Sequence, residues 1–186
     1  MSQSLFSKPE FPWKNPQVIQ HSQLLLKSFQ HWTGRSLLDS STLDSSTLNL
    51  SALSAEPLES LAQSLFEAPF VVVSHGMEVD PIFNYGNQQA LELWEVDWQS
   101  FTQMHSRQSA APVEQEAREK LLAEAKQEGY ISNYRGIRTS STGRQFWIEN
   151  VILWNVLDEQ QQSCGQAATF TQWQFVGGSP NGDTQN

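Results

Sequence analysis

The sequence of 186 residues contains one cysteine, Cys164, which excludes an intramolecular disulfide and a thiolate metal cluster. That usage fits a reducing compartment. Basic residues are also few, with eleven Lys and Arg against twenty Asp and Glu and a formal net charge of -9. The eleven are scattered, so there is no phosphate-reading stripe, and nucleic acid and anionic membrane are not expected partners. No apolar run approaches the roughly 18 residues that span a bilayer. The first nine residues lack the apolar h-region of a secretory signal, so the expected location is cytoplasmic.

Aromatic residues, by contrast, are abundant: seven Trp and ten Phe. Side chains of that size fill cores or line pockets. Residues 1–15, with Pro9 and Pro12, read as a flexible leader. A helix follows over Pro16–Thr33, with Pro16 at its first position and Gly34 at its exit. Val18, Leu25, Phe29 and Trp32 form one stripe on it, suited to docking on the rest of the chain or to a dimer seam. Residues 39–55 form a Ser/Thr-rich linker in which Asp39–Leu43 is repeated at once as Asp44–Leu48.

A second helix is expected over Pro57–Glu67, then short strands at Phe70–Ser74 and Pro81–Tyr85. Asn87 caps a third helix, residues 99–112 are irregular, and Val113–Glu128 forms a helix closed by Gly129. Three long strands complete the chain: Tyr130–Arg138, Phe146–Leu157 and Ala167–Phe175. In the middle one, Phe146, Ile148, Ile152, Trp154 and Val156 are expected to alternate onto one face, interrupted by Asn150. The close spacing implies antiparallel hairpins, and the block order implies an α+β fold. Residues 177–186 read as a disordered tail.

Several segments resemble one family in the right order. They include Leu65–Gly76, Asp80–Asn87, Ala90–Glu95, Tyr134–Arg138, Gly143–Phe146 and Gly165–Phe170. Together these resemble the MEKHLA domain family, a PAS-like family, in its stand-alone bacterial form. The resemblance covers about residues 18–175. It implies a PAS-like five-stranded antiparallel sheet with helices on one face, here with an N-terminal helical extension. On that reading residues 16–56 hold the extension and linker, and 57–176 the PAS-like domain. The family implies sensing or regulated association, and in plant homeodomain–leucine zipper proteins a role in dimerisation.

The candidate pocket residues are Asn84, Tyr85, Asn87, Trp94, Arg107, Tyr134, Trp154 and Asn155, aromatic rings with convergent polar groups. Arg107 is the cation expected to meet a core carboxylate, such as Glu149, or an acidic ligand. The stripe Val18, Leu25, Phe29 and Trp32 is the association candidate. Ser74 and His75 are adjacent on a strand and point to opposite faces, so they do not form an activated hydroxyl pair. His75 with Asp80 is the least unfavourable acid–base pair for an enzyme reading. The four histidines lack metal-ligand spacing. Cys164 does not stand in the Asn-Cys-Arg segment of flavin photosensors, and His105 is the lone haem-ligand candidate on the helical side.

The resemblance implies a sensory or regulatory binding module, and the residues offer no catalytic set beside it. It would bind a small ligand between sheet and helices, a separate effector protein, or itself as a homodimer. The alternatives are a pure homodimerisation or interaction module and, less favoured by the residues, a small α+β enzyme.

Overall fold

The computed structural model describes residues 11–38, 55–110 and 115–177. Helix α1 (Pro16–Thr33) starts where the Asn15 side chain accepts from the Gln17 amide, and ends at Gly34 in the left-handed region, φ 69°. Helix α2 (Ala55–Phe66) leads into β1 (Val71–His75) and β2 (Phe83–Gly86). Two short helices follow, α3 (Gln88–Trp94) and α4 (Trp98–Phe101), then a 3-10 turn over Ser106–Ser109. The longer α5 (Gln115–Glu128) precedes β3 (Tyr130–Thr139), β4 (Gln145–Leu157), β5 (Ser163–Phe170) and β6 (Gln172–Phe175).

The strands form one antiparallel sheet in the order β2-β1-β5-β4-β3, with β6 pairing the first half of β4. Strand β5 pairs with Ile152–Leu157 of β4, and β6 continues the line against Phe146–Glu149. β5 and β6 are therefore one strand line broken at Thr171, and the sheet is five lines wide.

Both faces of the sheet are covered. On one, Leu25, Phe29 and Leu65 of α1 and α2 pack with Val72, Trp154 and Val156. On the other, Leu93, Trp94 and Phe101 of α3 and α4 pack with Phe83, Phe146 and Phe170. The N-terminal extension is thus a layer of the fold. Burying side chains of this size contributes roughly 1.5–3 kcal/mol each, which holds α1 against the sheet without help from a second chain. Among the described residues, no helix is long and apolar enough to cross a membrane.

Two expectations are corrected here. Residues 11–15 are not a loose leader: Pro12–Lys14 forms a 3-10 turn, and Trp13 is buried against Phe66. The alternation expected along β4 also fails. Phe146 and Ile148 face α3, whereas Ile152, Trp154 and Val156 face α1. Asn150 causes the switch, since its φ of 53° inserts a left-handed residue that reverses the strand's parity. Ile152 is thus the first residue after it to face α1, and Val151 takes the α3 side. The repeat within 39–54 and the tail from 178 lie outside the described residues.

Candidate functional site

A cavity of about 50 Å³ lies between α5, the 3-10 turn and the sheet. Its walls are mostly apolar, with Val73 and Phe83 from β1 and β2, Leu121 and Leu122 from α5, and Leu153 from β4. Among the described residues, buried polar side chains that line it include His75, Ser109, Arg138 and Gln166. Apolar walls with a few fixed polar groups are the usual make-up of a small-molecule site. Larger concavities lie elsewhere. One, of about 670 Å³, is an open polar cleft between α1, α2 and the turn after β4, lined by Lys27, His31, Asp158 and Glu159. A second of about 480 Å³ runs beside α1 past His21, Asn84 and Trp98. Volume alone favours the first, but its lining is a solvated charged surface, so the cavity under α5 is the better candidate.

The sheet builds that cavity through its registers. Asn155 of β4 pairs with Gln166 of β5. Their side chains therefore stand together, and Gln166 Nε2 donates to Asn155 Oδ1 at 3.1 Å and to the Leu122 carbonyl of α5 at 3.0 Å. Both amide hydrogens of Gln166 have acceptors, and they tie α5 to the sheet. Ser109 Oγ donates to the Ser106 carbonyl at 2.7 Å. His75 Nδ1 lies 2.8 Å from the Gly76 carbonyl, which makes it the protonated nitrogen. On β3, Tyr134, Gly136 and Arg138 share a face, and Gly136 leaves room for the Tyr134 ring to cross the strand. A methyl group at 136 would overlap the Tyr134 hydroxyl, which accepts from Arg138.

The structure does not gather the eight expected pocket residues. Tyr85 and Trp154 face α1, whereas Trp94 and Tyr134 face the opposite side of the sheet. A bulge separates Tyr85 from Phe83: Ser74 pairs with Tyr85 and His75 with Phe83, leaving Asn84 as the extra residue. Asn84 is exposed and accepts from Ser74 Oγ at 2.5 Å. Asn87 is wholly occupied by the fold. Its Oδ1 accepts from the amides of Val72 and Ala90, and its Nδ2 donates to the Phe70 carbonyl at 2.6 Å. Arg107 is half-exposed and pairs with Asp80 at 2.9 Å, not with Glu149, which takes Arg135 at 2.8 Å. Asn155 reaches the cavity through Gln166, and Tyr134 through Arg138.

The association stripe packs inward. Leu25 and Phe29 are buried, Phe29 edge-on against Trp154, and Trp32 donates its Nε1–H to the Asn155 carbonyl at 2.8 Å. Val18 is half-buried beside the same core. In this arrangement Leu25 and Phe29 have no surface to offer a second copy.

Ser74 finds a histidine that sequence reasoning did not pair with it. His21 on α1 places Nε2 2.8 Å from Ser74 Oγ. Because Ser74 gives its hydroxyl hydrogen to Asn84, His21 Nε2 is the donor, and the serine is not activated as a nucleophile. Burial holds His21 well below the ordinary imidazole range, at about 4, and pushes the Tyr85 hydroxyl up. The residues also missed by sequence reasoning are Arg138 and Gln166. The pointer to Arg138 was Tyr134-Arg135-Gly136-Ile137-Arg138, where a strand glycine lies between two residues of one face.

A large cofactor does not fit the cavity under α5. A flavin or haem needs a pocket of ~300 Å³ or more, several times the cavity under α5. Cys164 is exposed at the start of β5, and His105 lies against Asp80. Among the described residues, no three His, Cys, Asp or Glu side chains stand close enough to hold a metal ion.

The MEKHLA domain profile matches residues 19–175. Homeobox-leucine zipper protein ATHB-15 of Arabidopsis thaliana is 22% identical over 168 residues, covering 89% of this chain and 18% of that protein. The chain therefore spans less than a fifth of this relative's length. Among solved structures, the PAS domain of a Colwellia psychrerythraea protein superposes with a TM-score of 0.54 at 13% identity, covering 64% of this chain and 97% of that one. A light-oxygen-voltage domain, described in connection with a flavin analogue and its mechanism, gives 0.50 at 15% identity, covering 63% and 84%. These likenesses show the fold. The chain belongs to the MEKHLA domain family and has a PAS-like α+β fold.

Proposed function

We propose that this chain is a sensory or regulatory module that binds a small ligand in the cavity between α5 and the sheet. The observation that carries the reading is the cavity itself, with apolar walls and buried polar groups drawn from α5, the 3-10 turn and strands β1 to β5. A ligand there touches Leu121 and Leu122 on one side and Leu153 on the other, so it stabilises one position of α5 over others. Gln166 already bridges α5 to Asn155, and the Asn155 carbonyl holds Trp32 of α1. Occupancy therefore has a physical route to the opposite face of the sheet. Catalysis is not part of this reading, since the Ser74 hydrogen goes to Asn84.

The test is native mass spectrometry of freshly purified protein beside its denatured mass and an absorbance spectrum. A mass increment that disappears on denaturation supports the reading. A bare native mass, with no thermal shift from a broad panel of small molecules, overturns it. A second reading, association without ligand, is favoured by Met77, Val79 and Ile82, apolar side chains exposed around the β1–β2 connection. A bare native mass at twice the chain mass supports that one.

A further inference from the structure

Four of the described arginines, three of them paired, run against the order that desolvation would favour. Arg107, Arg135 and Arg144 are each more than half exposed, and each has a carboxylate within 2.9 Å: Asp80, Glu149 and Glu95. Arg138 is only 7% exposed, yet among the described residues it has no carboxylate partner. A buried cation costs far more than an exposed one unless an anion and good hydrogen bonds offset its lost hydration.

The hydrogen bonds Arg138 does make define which part of it is left over. Nη1 donates to the Ile137 carbonyl at 2.9 Å and to the Tyr134 hydroxyl at 3.4 Å, and Nη2 donates to the same hydroxyl at 3.3 Å. All these acceptors are neutral, and two of the three bonds are long. A guanidinium has five N–H donors. Tyr134 occupies the end between Nη1 and Nη2, and Ile137 takes the outer hydrogen of Nη1. What remains is the side edge, Nε–H with the second hydrogen of Nη2. That edge presents two parallel donors, the geometry that matches a carboxylate.

The cavity beside Arg138 has room for a few atoms. At about 50 Å³ it holds roughly three or four atoms of water size. Its other polar groups offer an anion little: both amide hydrogens of Gln166 and the Ser109 hydroxyl hydrogen have acceptors already. Arg138 is thus the recognition group, and Val73, Phe83 and Leu153 form a surface for a short alkyl part.

We propose that the cavity under α5 is a site for a small monocarboxylate of formate or acetate size, bound through the side edge of Arg138. This rests on the ligand-binding reading above and names its ligand class. The carboxylate supplies the charge that the described residues do not give Arg138, so occupancy stabilises the folded protein.

The experiment titrates the full chain with sodium formate and sodium acetate at constant ionic strength, beside formamide and acetamide as neutral isosteres. The readouts are the melting temperature and the Arg138 Nε–H signal in the ¹H–¹⁵N spectrum. The expected result is a saturable rise in melting temperature with the carboxylates alone, and a downfield shift of that signal. Arg138→Gln should weaken the carboxylate effect at least tenfold. If that variant does not fold, Leu153→Trp fills the cavity with Arg138 intact and should abolish the response. Equal responses to amides and carboxylates, or a neutral molecule found in the native mass, overturn the carboxylate assignment and leave the ligand-binding reading standing. No response to either set overturns the assignment, and a bare native mass with it overturns both.

Discussion

Trp32 of α1 donates its indole Nε1–H to the carbonyl of Asn155 on β4, at 2.8 Å across 123 positions of sequence. Its ring also lies where a Cβ on Gly129 would stand, at a φ of 90° that already favours glycine. Ser28 of the same helix accepts from the Leu157 amide at 2.8 Å, serving the far end of β4. The N-terminal helix therefore supplies hydrogen bonds to the sheet as well as apolar cover. Trp32→Phe keeps most of the ring but leaves the carbonyl without that donor. The expected loss is ~1–2 kcal/mol, measured by urea denaturation. No change in midpoint would show that α1 does not depend on this bond.

Asn87 argues for a larger effect at a residue that sequence reasoning placed in a ligand pocket. Its side chain caps α3 through the Ala90 amide and holds the Val72 amide and Phe70 carbonyl on the way into β1. Asn87→Ala removes every one of these partners from buried backbone groups. A loss of ~2–4 kcal/mol is expected, since each unsatisfied buried group costs ~1–3 kcal/mol. Ligand affinity, measured on whatever variant remains folded, should be unchanged. A stable variant with altered ligand binding would reverse this assignment.

The parts of the fold legible in the sequence were those set by local chemistry. Pro16, Gly34, Asn87 and Gly129 mark helix ends because each has a backbone preference or a cap to offer, and the structure uses all four so. What was not legible came from parity and distance. One left-handed residue, Asn150, reverses β4, and the extra residue Asn84 reverses β2, so rings that share a period do not share a face. Nothing in either local sequence requires a bulge. His21 and Ser74 meet across 53 positions, which no spacing rule reports. Arg138 was hidden for a related reason: a charged residue on a strand reads as solvent-facing until the helix covering that face is known.

Two groups make stability depend on pH with the same sign. Unfolded His21 takes up a proton near pH 6.5, whereas folded His21 does so only near 4 because it is buried. Between those values the unfolded chain binds more protons, so stability falls as pH drops, by at most ~3.5 kcal/mol at ~1.4 kcal/mol per pKa unit. The His21 groove also holds Glu78 as a charged neighbour. Glu95 accepts from Thr142, Ser140 and Arg144, which lower its carboxyl to about 2. Its contribution is full above pH 4.5 and is lost as pH falls towards 2. Urea midpoints from pH 7 to 4 should therefore decline in the native protein and flatten in His21→Gln. An equal decline in that variant would assign the effect elsewhere.

Gly136 links the fold to the proposed site most directly. The Tyr134 ring crosses it to meet Arg138, whose guanidinium carbon lies 5.4 Å from the ring centroid. Gly136→Ala forces that ring aside, whereas Tyr134→Phe keeps the ring and removes only the hydroxyl. The second change should cost ~1 kcal/mol, as one ordinary hydrogen bond does. The first adds displacement of a packed ring and should cost ~2–3 kcal/mol, near the value for overpacking a core. Both free Arg138 from its neutral acceptor, so in both the response to a small carboxylate should persist or strengthen even as the unliganded protein weakens. Loss of the response in Tyr134→Phe would mean that the hydroxyl, and not the open edge of the guanidinium, is what the ligand reads.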